Sequence, residues 1–411
     1  MYDVIVVGAR CAGSPLAMLL ARQGHRVLVL DRSTFPSDTI STHYIHQAGL
    51  SRLQAWGLLD RVIASGVPPI RELNFSYTGI DIVGFADPID GIDAVYCPRR
   101  TVLDAILVDA AREAGAEVIE GFTVTDVLFA DDRVVGVKAR ENDGPEREFH
   151  ASFVVGADGR NSVVADKVGA EIYRSVPAAC FVYYSYFEGL DWGMHHNTSF
   201  AEQQIGTWPT NDGRNLLAVM RKNDRFRDFR RDVEGSFQEV YDQVAPQLGE
   251  QLRDSGARTE NFRPMRYPDN YYRTSHGPGW ALVGDAGYHK DPFTGWGITD
   301  AFKYGELLAE QLHLGLSGQR STDDAVAEYA KLRDVQSNGT FELTCTLSEL
   351  SLTPYYDSVF RAAAQSPKYS AQFLGLIAGG VHGDEFFSTA NLEALYEEVG
   401  FPQDKRLLTQ S

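Results

Sequence analysis

The residues that could do chemistry gather in three glycine-rich turns, far apart in the chain. The first, residues 8–13, reads GARCAG and is followed one helix later by Asp31. A helix opening on such a turn presents free N–H groups and a positive dipole end, which suits a pyrophosphate. Gly8 allows a tight turn out of the preceding strand, Gly13 lets the helix pack close, and Asp31 suits ribose hydroxyls. Arg10 stands where the dinucleotide fingerprint expects its second glycine, so it either swings away or contacts phosphate itself. The second turn, GADGRNS, offers Asp158 and Gly159. The third offers Gly284 and Asp285, then Pro292, Gly295 and Gly297. For each aspartate the competing use is a turn-forming hydrogen bond before glycine.

Other reactive types lie near these turns. His43 and His46 follow the Asp31 strand, on the edge where a nucleotide-binding sheet holds ligands. Lys290 falls inside the third turn, between Tyr288–His289 and Asp291, where a solvated lysine is the simpler alternative. Cys11 sits at a helix N-terminus, a setting that lowers thiol pKa values, although a small residue tolerated beside a ligand is the simpler reading. The four cysteines are scattered without metal-ligand or redox spacing, so no metal is expected.

These residues need elements to position them. Tyr2–Val7 is an apolar, β-branched run suited to a buried strand. Residues 14–23 carry Leu16, Leu19 and Leu20 at helical spacing, with Pro15 in the first turn and Gly24 as the stop. Residues 26–30 form the next strand. Residues 98–115 read as a helix and residues 117–140 as a small antiparallel meander. Residues 153–155 form a strand that returns to the first sheet. Residues 72–96 and those beyond 176 alternate apolar and polar types, as a second sheet does. Its aromatic strand, FVYYSYF at 181–187, sends alternate rings to opposite faces. Tyr184, Tyr186, Trp192 and Trp208 are therefore the candidates for a substrate pocket, with inter-layer packing as the alternative. The tail from 323 reads as mostly helical.

At 411 residues the chain exceeds one simple core. A net charge of −18 argues against nucleic acid and anionic membrane surfaces. No apolar run is long enough to span a bilayer. The opening strand begins at residue 2, which leaves no signal peptide before it, and the expectation is a cytoplasmic protein with reduced thiols.

The three turns, in this order and content, resemble the motifs of the para-hydroxybenzoate hydroxylase superfamily of FAD-dependent monooxygenases. That superfamily also holds flavin halogenases and geranylgeranyl-type reductases. VVGADGRNSVV matches its second motif, without the arginine that often follows, and Gly284-Asp285 with PxxGxG matches its third. The segments GARCAGSP and GDAGYHKDP are similar to those of a bacterial subgroup.

The resemblance implies an α/β fold. A Rossmann-like FAD-binding domain (1–71, 98–175 and 276–322) is interleaved with a mixed or antiparallel-sheet substrate domain (72–97 and 176–275). A helical C-terminal region spans 323–411. The resemblance also implies a set of cofactor contacts. Gly8, Arg10, Cys11, Ala12, Gly13, Asp31 and Arg32 would hold the AMP end. Arg100 would reach the ribityl or phosphate region, Val124 would flank the adenine, and Asp285 would bind the ribityl hydroxyls. Gly297 and Ile298 would face the flavin ring, with Gly284, Pro292 and Gly295 shaping that turn. Asp158 and Gly159 would lie between the cofactor and a nicotinamide donor. His43, Lys290 and Pro292 are the candidates for catalysis.

The implied activity is insertion of one oxygen atom from O2, through a C4a-hydroperoxyflavin, into an apolar, aromatic small molecule. Reducing power would come from NADPH or NADH visiting transiently, because no second dinucleotide fingerprint exists, or from a separate flavin reductase. A monomer and a homodimer are both compatible with the chain. The first alternative is a carbon–carbon double-bond reductase, which the run GITDAFKYGELLAE after the third motif resembles. Halogenation is disfavoured: no WxWxIP-like segment occurs, and Lys290 lies in a context unlike that of the halogenases' lysine.

Overall fold

The computed structural model describes residues 1–400. The opening strand Tyr2–Val7 lies at the centre of a sheet. It pairs in parallel with Val27–Asp31 on one side and with the end of Arg147–Gly156 on the other. Trp280–Leu282 and Glu117–Glu120 extend this parallel set outward. Glu117–Glu120 was expected in the meander. It pairs instead with Val27–Asp31, and Gly121, at positive φ, separates it from the next strand. The meander proper is Phe122–Ala130, Arg133–Glu141 and the first half of Arg147–Gly156.

Strand alternation explains why the sheet is covered on both faces. Val4, Val6 and Val29 face a core shared with helices Gly13–Arg22, Arg100–Glu113 and Gly297–Leu316. Ile5, Val7, Leu28 and Leu30 face the meander through Val124, Val127 and Val137.

A second, mostly antiparallel sheet is assembled from distant segments. Leu73–Tyr77 lies parallel to His195–Phe200, with Leu73 opposite His195. Gln203–Pro209, Asn215–Lys222 and Cys180–Glu188 follow in order. The aromatic strand divides as alternation requires. Phe181, Tyr183 and Phe187 join an outer cluster with Phe237 and Tyr241, whereas Val182, Tyr184 and Tyr186 face the main core. Ile172–Val176, Asn270–Arg273 and Tyr288–His289 form a separate three-stranded sheet with Asn270–Arg273 at its centre.

Beyond the helix Gly297–Leu316, the tail forms five helices up to Val399 among the described residues. Residues 401–411 of the expected helical region lie outside them. No described helix is long and apolar enough to cross a membrane.

Candidate cofactor and substrate site

Backbone contacts bring the three glycine turns to one edge of the parallel sheet. The Ala157 N–H donates to the Val7 carbonyl at 2.8 Å, and the Val283 N–H to the Gly156 carbonyl at 2.9 Å. Gly8 has φ of +105°, and a Cβ there would lie 2.5 Å from the Ala157 oxygen. A Cβ on Gly13 would lie 1.9 Å from the Gly8 oxygen. A Cβ on Gly284 would meet that of Ala12 at 3.0 Å. The glycines are therefore required by the contact between turns as well as by turn geometry.

Helix Gly13–Arg22 has no side-chain cap at Ala12 and no acidic residue in its first turn, so its N-terminal dipole is uncompensated. The Asp31 carboxylate accepts from the N–H groups of Ala9 and Ser33, both at 2.7 Å, and retains acceptor capacity. Arg10 turns away from the glycine turn. Its guanidinium reaches Asp104 at 2.5 Å and Ser37 at 2.9 Å. Arg100 makes two further 3.0 Å hydrogen bonds to the same buried carboxylate. Two guanidinium groups on one carboxylate leave a net positive charge beside the open helix terminus. Cys11 also contacts Asp104, and burial pushes its thiol up to about 12, so it stays protonated. Arg32 is exposed. Val124 is buried in the core beneath the meander.

Asp158 accepts from the Val163 and Val164 N–H groups, at 2.7 and 3.3 Å. Its side chain thus caps the short helix Val163–Lys167, the turn-forming use anticipated as the alternative. Burial raises its carboxyl despite these donors. Gly159, at positive φ, continues that turn. In the third turn, Asp285 lies 3.5 Å from the His289 ring. Pro292–Thr294 is a single 3-10 turn ending at Gly295, which has φ of +68°. Helix Gly297–Leu316 then starts with no side-chain cap, and a Cβ on Gly297 would meet nothing within 4 Å. Ile298 follows in its first turn.

Two open helix termini, a partly free aspartate and open space over Gly297 fit a dinucleotide carrying a ring system. The chain's relatives agree: residues 1–335 match the family described as FAD binding domain. The chain belongs to this family. It is a member of the para-hydroxybenzoate hydroxylase-like flavoprotein superfamily and an FAD-dependent oxidoreductase.

Among its relatives is the 1H-pyrrole-2-carbonyl-[peptidyl-carrier protein] brominase of Pseudoalteromonas luteoviolacea. The two are 24% identical over 392 residues, 92% of each chain. The digeranylgeranylglycerophospholipid reductase 2 of Methanothermobacter thermautotrophicus is 28% identical over 336 residues, covering 76% of this chain and 79% of the reductase. The solved structure of PqsL, a probable FAD-dependent monooxygenase from Pseudomonas aeruginosa, superposes with a TM-score of 0.70 at 20% identity. That match covers 91% of this chain and 99% of PqsL.

Beside the third turn of this flavoprotein lies a narrow cavity. Phe293, Thr294 and Gly295 form its wall at the third turn. Leu73, Asn74, Phe75, His195, Asn197 and Trp208 come from the second sheet. Tyr44 and His46 come from the segment after Asp31. Leu347, Leu374 and Ile377 come from the tail helices, so the C-terminal region closes the cavity.

Of the residues expected to meet substrate, only Trp208 lines it. Trp192 packs on the other face of its sheet, stacked on Tyr241 and donating to Gln251 at 2.5 Å. Tyr184 and Tyr186 face the interior but meet His43 instead. Strand parity assigned their face correctly; the loop occupying that face was not visible to it.

The catalytic candidates are likewise redistributed. His43 is fully buried at φ of +62° and hydrogen-bonds the Tyr186 hydroxyl. Burial, with the charges of Arg100, Arg99 and Arg263, holds its imidazole well below the usual histidine range. Arg99 lies 4.2 Å from the Tyr186 ring centre and is ion-paired with Asp38 and Glu260. Lys290 is neither solvated nor among the cavity residues. It is buried, ion-paired with Asp300 and bonded to the Tyr288 hydroxyl at 2.8 Å. Pro292 serves the turn.

His46 does reach the cavity. Its Nε2 lies 2.8 Å from the Thr294 carbonyl and so carries the proton. Burial pulls its imidazole down to about 4. His195, Tyr44 and Phe75 were not anticipated. Pairing of Leu73–Tyr77 with His195–Phe200 brings His195 there, and no local pattern encodes that pairing.

Proposed function

We propose that the chain is an FAD-dependent monooxygenase acting on a small, apolar, aromatic substrate in this cavity. The observation that carries the reading is the cavity itself. It is walled by aromatic and aliphatic side chains and bounded by the Thr294–Gly295 turn, directly before the open N-terminus of helix Gly297–Leu316. Bound FAD would supply the two electrons, drawn from NADPH or NADH, that activate O2. The chain's own residues bind, orient and exclude water. The helix terminus favours negative charge on the ring edge it faces. Apolar walls keep bulk water from the reacting atoms. One atom of O2 enters the substrate and the other leaves as water.

A second reading, carbon–carbon double-bond reduction, is supported by the 28% identity to the archaeal reductase. Halogenation has the long alignment to the brominase in its favour. Against it stands Lys290, which is held by Asp300 and Tyr288.

The test is turnover of a panel of neutral aromatics with NADPH or NADH under 18O2, with and without bromide and chloride. The expected result is substrate-stimulated oxygen uptake with one 18O per product. Product formed equally well without oxygen would assign the reductase activity, and product formed only with halide would assign the halogenase.

A further inference from the structure

The cavity is apolar in outline but holds polar atoms without protein partners. Both ring nitrogens of His195 are buried and unpartnered, as are His46 Nδ1, Trp208 Nε1 and Asn74 Oδ1. Buried polar groups are almost always hydrogen-bonded, so five such atoms on four residues of one cavity mark a place prepared for something else.

Their roles can be assigned. His46 donates through Nε2, which leaves a lone pair on Nδ1. Trp208 Nε1 can only donate and Asn74 Oδ1 can only accept. A neutral imidazole at His195 offers one donor and one acceptor. That ring is 8% exposed and lies between Tyr44 and Trp208, with centroid distances of 4.9 and 5.0 Å. Burial and the neighbouring His196 and His46 hold it well below the usual histidine range, so it is uncharged at neutral pH. No lysine, arginine, aspartate or glutamate lines the cavity. An anionic or cationic ligand would lose its hydration there with no counter-charge to replace it.

We propose that the cavity selects an uncharged planar arene bearing one group that both donates and accepts, a ring hydroxyl above all, and that His195 and Trp208 are the residues that read it. The proposal rests on the cavity being the substrate site. His195 accepts the proton of the hydroxyl's hydrogen bond, and Trp208 donates to its oxygen. The aromatic side chains of Tyr44, Phe75 and Phe293 on the cavity wall flank the ring. A site built around such a bond rejects an analogue lacking it far more strongly than one extra methylene would be rejected.

The experiment uses the oxidised, FAD-loaded enzyme and three probes of one shape: 2-naphthol, 2-methylnaphthalene and 2-naphthoate. Binding is read from the perturbation of the flavin absorbance spectrum, which needs no turnover. Naphthol is expected to bind at least tenfold tighter than each of the others. His195→Phe, which keeps a flat ring, should bring the naphthol to methylnaphthalene ratio close to one, with FAD content unchanged. Trp208→Phe should lower the same ratio and serves if the first variant does not fold. Equal binding of naphthol and methylnaphthalene by the wild type would overturn the proposal, as would tighter binding of naphthoate or a ratio that survives both variants. Discrimination without any oxygen-dependent product would retain this ligand class and remove the monooxygenase reading. Oxygen-dependent turnover without discrimination would do the reverse.

Discussion

Arg10 and Arg100 share one partner: both guanidinium groups bond the carboxylate of Asp104, which has no exposed surface. The arrangement joins the first glycine turn to the helix Arg100–Glu113. It also accounts for an arginine at a fingerprint position that normally requires glycine, because the side chain leaves the turn towards Asp104. Removing the buried carboxylate strands two charges. Asp104→Ala is therefore expected to cost about 3–5 kcal/mol of apoprotein stability in urea unfolding, with a smaller loss for Asp104→Asn.

Lys290 and Asp300 form a second buried ion pair. Lys290→Met alone should destabilise by about 3–5 kcal/mol, because Asp300 is left buried without its partner. The double variant Lys290→Met/Asp300→Leu should recover most of that loss. A double-mutant cycle on thermal unfolding checks this. If the double variant also retains turnover, Lys290 is a structural residue. Retained stability with abolished turnover would return it to catalysis.

The glycines separate folding from cofactor binding. Gly13→Ala places a Cβ 1.9 Å from a backbone oxygen and should prevent recovery of folded protein. Gly297→Ala meets nothing within 4 Å, so the apoprotein melting temperature should stay within a degree or two. Its FAD affinity should fall at least tenfold, since the added methyl enters the space over the helix terminus. Equilibrium titration of apoprotein with FAD measures the second effect.

Asp291 supplies a pH dependence. Burial raises its carboxyl to about 7. The unfolded chain ionises near its ordinary value of 3.8, so the unfolded state loses the proton first as pH rises. The resulting contribution opposes folding increasingly between about pH 4 and pH 7 and is constant above. It amounts to about 4 kcal/mol at most. Asp291→Asn should therefore raise the melting temperature more at pH 8 than at pH 5. His46, drawn down to about 4, acts with the opposite sign below pH 6.5, and the wild-type-minus-variant difference removes its effect.

Much was determined by the sequence alone, because the features concerned are local. The strand, turn and helix around Gly8–Gly13 follow from apolar runs, proline and glycine placement and a terminal acid, each acting within a few residues. The three motifs were legible for the same reason, and so was the division of the 181–187 aromatics between two faces. Tertiary structure decided what lies opposite each of those groups. Asp104, one turn along its own helix from Arg100, is in sequence only the acid of an RxxLD run, and the tertiary structure brings Arg10 to it from another element. Trp192 and Trp208 look alike in sequence, yet packing sends one outward to Tyr241 and the other into the cavity. Lys290 reads as a free cation until helix Gly297–Leu316 brings Asp300 against it. His195 enters the cavity only because two strands some 120 positions apart lie in register, a pairing chosen by the whole core and not by either strand.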